Sequence, residues 1–246
     1  MRLPAANASA GTVLALALLV APGAARAEGW GGSVGLASDY VYRGLTLSAN
    51  QPAGQLDLHY SGDAGAGGNW YAGLWASSVR RLPDYATSAE FDPYLGYQRR
   101  FAQRWSANLS AVRHQYPWDN PGGRYNYEEF SGTVGYADRA FLTVAFSPDS
   151  SVEAHYHFVS GRAVLAYDLA LRQPLPHAFS LNAGIGYRDL RWAVDSGYVY
   201  GNAGVGWDWR RFHLDLSYIG TNGTARRLFY EDTAVRRLVG SVLWRF

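Results

Sequence analysis

"LVGSVLWRF", residues 238–246, is the stretch on which the reading of the chain turns. Leu238, Gly240, Val242, Trp244 and Phe246 fall in one register of a strand, and Val239, Ser241, Leu243 and Arg245 in the other. Terminal residues are poorly ordered unless something ties them down. Here an apolar alternation runs to the last residue, so Phe246 is expected to belong to the fold.

At the other end, Arg2, an apolar run from Val13 to Ala21 and the small-x-small end Ala25-Arg26-Ala27 have the layout of a cleaved secretory signal peptide. Residues 1–27 are therefore expected to be removed, leaving one domain over 28–246 that begins at Glu28. All 22 basic residues are Arg, and removal of Arg2 and Arg26 leaves 20 against 20 acidic residues, a formal charge of zero. No basic stripe appears, so nucleic acid is not an expected partner. Without cysteine, an exported chain must rely on a large core or on a complete hydrogen-bond ladder. Charged residues are only 17%, low for a soluble surface, while aromatics reach 15%.

Beyond Glu28 the recurring signal is alternation with period two, the mark of a strand with two unlike faces. Leu56, Leu58 and Tyr60 oppose Gln55, Asp57 and His59; Phe212, Leu214, Leu216 and Tyr218 oppose His213, Asp215 and Ser217. About twelve strands are expected, over residues 33–43, 53–60, 69–79, 90–101, 104–115, 125–137, 140–147, 160–172, 178–190, 198–209, 211–219 and 235–246. Short links such as 137–139 and 210–211 alternate with longer ones such as 44–51, 148–159 and 220–234. That asymmetry predicts an all-β fold, an antiparallel transmembrane β-barrel with short periplasmic turns and longer extracellular loops.

Alternation alone does not separate lipid from a soluble core, since lipocalin-like barrels share the period. The second face favours lipid outside: it carries Gly, Ser, Asn and balanced Arg and Asp, not the dense charge of a solvated exterior. Tyr40, Tyr42, Tyr136, Tyr187, Trp207, Trp209, Tyr218, Trp244 and Phe246 lie toward strand ends and are expected to form interfacial girdles. In this reading the last strand closes onto the first. A terminal Phe with an aromatic two residues earlier also resembles the signal read by the barrel assembly machinery, an expected partner beside outer-membrane lipid and lipopolysaccharide.

The stretch "SDYVYRGLTLSANQPAGQLDLHY" (Ser38 to Tyr60), followed in order by "YAGLWASSV", "EFDPYLGY", "YNYEEFSGTVGY" and "FSPD", resembles the TorF family of porins, also called the Gcw_chp family of proteobacterial outer-membrane proteins. The resemblance implies an outer-membrane barrel of porin type with no established substrate. Pro93 departs from the pattern, because it removes a ladder donor from a closed sheet, and a bulge near the loop end is expected to absorb it.

The expected function is a narrow channel for passive diffusion of small polar or charged solutes, not an enzyme, with no cofactor and no metal. The alternatives are a structural or assembly barrel and a hydrolase with its site at the rim. His155 and His157 share one face and could pair on a metal, but no clustering partner follows. "GIGY" and "GVGW" lack the following helix a phosphate loop needs. The lumen face then carries Asp39, Arg43, Asp57, Glu90, Asp92, Glu129, Arg162, Asp168, Arg172, Arg188, Asp215, Arg237 and Arg245. Such charges either line a pore or pair across strands to fill it. Asp39 and Arg43, four residues apart on one strand, are expected at the extracellular rim with Arg237 nearby, each needing its own partner. Ser217→Arg is expected to be tolerated as a lumen substitution, while Leu165→Arg and Leu216→Arg are expected to block insertion. Residues 69–79 leave both registers open, Tyr71, Gly73 and Trp75 against Ala72, Leu74 and Ala76.

Overall fold

The computed structural model describes residues 28–81, 87–119, 124–154, 157–230, 232–234 and 236–246. The expected signal peptide and His155 fall outside them. Twelve strands form the wall: β1 (Gly29–Ala37), β4 (Ala53–Asp63), β5 (Gly68–Ser78), β6 (Ala89–Phe101), β7 (Trp105–His114), β8 (Tyr127–Tyr136), β9 (Ala140–Ala154), β10 (His157–Pro174), β11 (Phe179–Leu190), β12 (Ser196–Trp209), β13 (Phe212–Thr221) and β14 (Arg237–Arg245). Each pairs antiparallel with its neighbours, and β1 joins β14 to close the barrel. Two further strands, β2 (Val41–Tyr42) and β3 (Leu45–Thr46), form a separate sheet.

The closure explains the terminal phenylalanine. Val34 faces Trp244 and Leu36 faces Val242 across the seam, and Gly32 and Phe246 exchange backbone hydrogen bonds of 3.1 and 3.2 Å. Gly32 is required by close approach, since a Cβ there would stand 2.8 Å from the Phe246 ring. Among the described strands of the wall, none is left with an open edge. A ladder closed on itself also resists local opening. Unheated detergent samples are therefore expected to migrate as a compact band that shifts on boiling; a sample that never shows the shift would contradict the closed wall.

The outer surface is apolar around the ring. Leu36, Leu95, Leu109, Leu142, Ile185 and Leu216 are between 55% and 63% exposed. Soluble monomers keep contiguous apolar patches to roughly a few hundred Å², so a belt carried by strand after strand is the outside of a lipid-facing wall. Tyr136, Trp209, Trp244 and Phe246 are exposed at the turn end, with Trp207 half-buried beside Trp209. Tyr218 is exposed and Tyr187 half-buried farther toward the loop end.

Four expectations about the wall change, and one register left open is settled. The first strand leaves the wall at Ala37, so residues 38–43 are not its continuation, and Tyr40 and Tyr42 are 6% and 5% exposed inside the barrel instead of in a girdle. The link expected at 148–159 is mostly strand, because β9 and β10 pair out to Ala154 and His157 with register shifts around Arg162. Pro93 faces Leu74 in an unshifted ladder, and Phe91–Gln115 and Tyr94–Val112 keep one register on its other side, so no bulge forms. The missing donor costs one bond at a single position. Segment 69–79 points Tyr71 and Trp75 inward and Leu74 outward. Tyr71 fits because its ring lies over Gly96, where an added Cβ would be 2.3 Å away, and its hydroxyl donates to Asn108 Oδ1 at 2.8 Å. Ser217 is wholly buried and donates to Asp215 Oδ1 at 2.5 Å, so an Arg there has no space and the expected tolerance does not follow.

Candidate functional site

The lumen has two halves of different character. Toward the turn end the β7–β9 face of the wall is partly exposed and lined by small hydroxyls, with Ser110 and Ser131 2.7 Å apart and Thr133 and Thr143 2.8 Å apart, whereas Ser180, Asn182, His213 and Asp215 on the β11–β13 face are buried. Deeper toward the turns, Asp208 meets Arg172 and Arg245 at 3.5 Å and His213 at 3.0 Å. Toward the loop end the interior is filled.

The filling begins with residues 38–48. Arg43 (φ 48°) and Gly44 (φ +79°) form a two-residue turn between β2 and β3, and positive φ at both positions suits the right-handed twist of a tight hairpin. Glycine fits at 44 for a second reason, since a Cβ would come within 2.4 Å of Thr221. Asp39 clasps the base. Its carboxylate accepts from Thr46 Oγ1 at 2.6 Å, Ser48 Oγ at 2.8 Å and Arg237 Nη1 at 2.8 Å. Val41 packs with Ile219 and Val239 on one wall, and Leu45 bridges to Ala234.

At the tip, Arg43 donates to both carboxylate oxygens of Glu129, at 2.6 and 3.0 Å, and the Tyr42 hydroxyl donates to the same group at 3.2 Å. Tyr198 Oη donates to the Arg43 carbonyl at 3.1 Å. Glu129 sits on β8, seven strands from β1 in one direction round the ring and five in the other. The hairpin thus crosses nearly the full bore and is pinned to the far wall by a buried bidentate ion pair.

Next to this anchor, Glu90 and Asp92 on β6 face His114 on β7 and Tyr116 just beyond it. His114 Nδ1 lies 3.2 Å from Glu90 Oε1 and 2.9 Å from Asp92 Oδ2, and Tyr116 Oη donates to Glu90 Oε1 at 2.6 Å. His114 stacks on Tyr127 with ring centroids 4.3 Å apart. Burial first, and the Glu90 carboxylate second, push the Tyr40 and Tyr116 phenols well above their ordinary range, so both stay protonated. Above them a cavity of about 60 Å³ is bordered by Tyr42, Tyr116, Tyr125, Tyr127, Arg81 and Arg188 among others. Arg81 stands over the Tyr125 ring at 4.0 Å.

Twelve of the expected lumen residues turn their side chains inward, and Asp57, Asp168 and Asp215 are held by Tyr94, Tyr200 and Ser217. Arg188 is buried near Tyr198. Arg162 differs: it is exposed at the loop end, carried outward where the β9–β10 register shifts. Sequence reasoning missed His114, Tyr116, Tyr198, Tyr200 and Asp208 as lumen groups. The available signal was the spacing of His114 with Tyr116 and of Tyr198 with Tyr200, polar-tipped rings on one face of a strand. Asp39→Asn is expected to weaken the clasp by about 1.5–3 kcal/mol, as for a lost hydrogen bond to a charged group. A band-shift temperature equal to that of the parent would reject the clasp.

A family model described as a bacterial protein of unknown function (Gcw_chp) matches residues 22–244. No curated protein matches the chain. Among solved structures, the COG4313 outer membrane channel from Pseudomonas putida F1 is similar with a TM-score of 0.57 and 10% identity, over 92% of this chain and 98% of that one. The NanC porin is similar with a TM-score of 0.52 and 7% identity, over 87% and 98%. The KdgM porin has a TM-score of 0.50 and 9% identity, over 88% and 99%. At such identities the likeness is one of fold.

Proposed function

The chain belongs to the Gcw_chp family of bacterial proteins, and from that premise we propose that it is an outer-membrane channel passing small polar or charged solutes through a lumen restricted by its own inner hairpin. Residues 1–27 direct export and are removed, the loop end faces the cell exterior, and the C-terminal strand is read by the barrel assembly machinery. The outer apolar belt supports the membrane setting, and the fold shared with porins and channels supports a conducting role. No catalytic step is part of this reading.

The observation that carries it is the contrast between the partly exposed, hydroxyl-lined β7–β9 face toward the turn end and the hairpin crossing the loop-end half. Charges over a short constriction set selectivity in channels. Here they are the Arg43–Glu129 and Asp39–Arg237 pairs. Solute passes when the hairpin leaves its anchor. A structural or assembly barrel is the second reading, favoured by the same hairpin if it never moves. Planar-bilayer recording of refolded protein decides between them. Discrete, salt-dependent current steps are expected; a folded, heat-modifiable barrel that stays silent would reject the channel.

A further inference from the structure

We propose that Glu90, Asp92 and His114 form a binding site for a divalent zinc-like cation inside the lumen wall. The three side chains are 1%, 0% and 1% exposed, and one ligand atom from each lies within 4.8 Å of the others. Tetrahedral coordination with bonds of about 2.0–2.1 Å separates neighbouring ligand atoms by ~3.3 Å. The Nδ1-to-oxygen distances of 2.9 and 3.2 Å are close to that edge.

Hydrogen bonding within the cluster leaves acceptors over. The imidazole offers a single Nδ1 proton to two carboxylates, and Tyr116 supplies one more donor, to Glu90 Oε1. Glu90 Oε2 and both carboxylate oxygens of Asp92 are buried with no hydrogen-bond partner among the described residues, as is His114 Nε2. Tyr40 Oη, on the hairpin and packed in the same cluster as Tyr116, is likewise buried and unpartnered. Buried carboxylate oxygens without donors are costly, and a dication answers the charge and the missing bonds together. Arg43 does not meet the need, because it is committed to Glu129, and Arg81 rests on the faces of Tyr116 and Tyr125.

The donor set selects the ion. One imidazole nitrogen and two carboxylate oxygens suit zinc, whose three-ligand sites leave a fourth position open. Calcium needs 6–8 oxygens, and magnesium keeps waters that a closed cluster does not accommodate. The stacking of His114 on Tyr127 and the Tyr116 bond to Glu90 hold two of the ligands in place.

The test is calorimetric titration of chelator-washed, refolded barrel in detergent with Zn²⁺. One saturable site per chain is expected. Loss even of an outer-shell partner costs about 10–100-fold in metal affinity, so His114→Ala and Asp92→Asn should each weaken binding at least about tenfold. His177→Ala, on the exposed turn before β11, should leave it unchanged. Co²⁺ in place of Zn²⁺ should give visible absorption bands of low coordination number that His114→Ala abolishes. If His114→Ala fails the band-shift test for folding, the nearly isosteric Asp92→Asn carries the comparison. No saturable uptake by the folded parent, or uptake equal in both variants, would overturn the site and leave ordered water as the occupant. Because none of these readouts needs current, a silent barrel that binds Zn²⁺ would reject the channel and keep the site.

Discussion

Arg43→Gln should raise the conductance of the refolded barrel severalfold and move its selectivity toward cations. The pair it breaks is buried, with side chains 3% and 10% exposed, and it is bidentate at 2.6 and 3.0 Å. Removing one partner of such a pair costs about 3–5 kcal/mol, chiefly because the other charge is left uncompensated in a dry site. At 1.36 kcal/mol per decade, that moves the balance between docked and released hairpin by roughly two to four powers of ten. Glu129 then regains water only if the hairpin withdraws. Glu129→Gln should release the hairpin too, but with selectivity shifted toward anions, since Arg43 is now the unpaired charge. The double variant should be milder than the sum of the singles, as expected of directly coupled residues. Single-channel recording with reversal potentials in a salt gradient reads all three. Equal conductance in parent and singles, with folding intact, would mean that the hairpin is not the restriction.

The second large effect concerns the wall. Leu216 lies midway along β13, is 55% exposed and sits between Gly240 and Val205 on the apolar skin. An Arg on the lipid face at the bilayer midplane costs about 2–4 kcal/mol, falling to about 0–1 near the interfaces. Leu216→Arg should therefore cut the heat-modifiable fraction in lipid vesicles sharply, whereas Leu216→Phe should not. Leu165 also faces outward but pairs with Asp189, close to the loop-end limit of β11, so Leu165→Arg should be clearly milder. Equal assembly of Leu216→Arg and parent would place this face away from lipid.

By itself the amino-acid sequence determined the twelve-stranded closed barrel and the end that carries the turns. It also determined the place of Phe246 in the seam, because period two, turn residues and link lengths are local properties. It did not determine which face of β5 looks inward, since Tyr71 and Trp75 are as apolar as Leu74 and only the space over Gly96 and beside Tyr40 separates them. Nor did it determine the path of residues 38–48. Tyr40 and Tyr42 alternate as lipid-facing rings would, and Gly44 was the one local mark of a turn there. An aromatic buried by an inner hairpin and one buried by lipid carry the same pattern. The tertiary structure alone decided that Arg43 meets Glu129, 86 residues away, and made the expected nearness of Asp39 and Arg237, 198 residues apart, a direct hydrogen bond. Those pairings depend on how the strands are staggered around the closed ring, and stagger is a property of the whole sheet that no short stretch encodes.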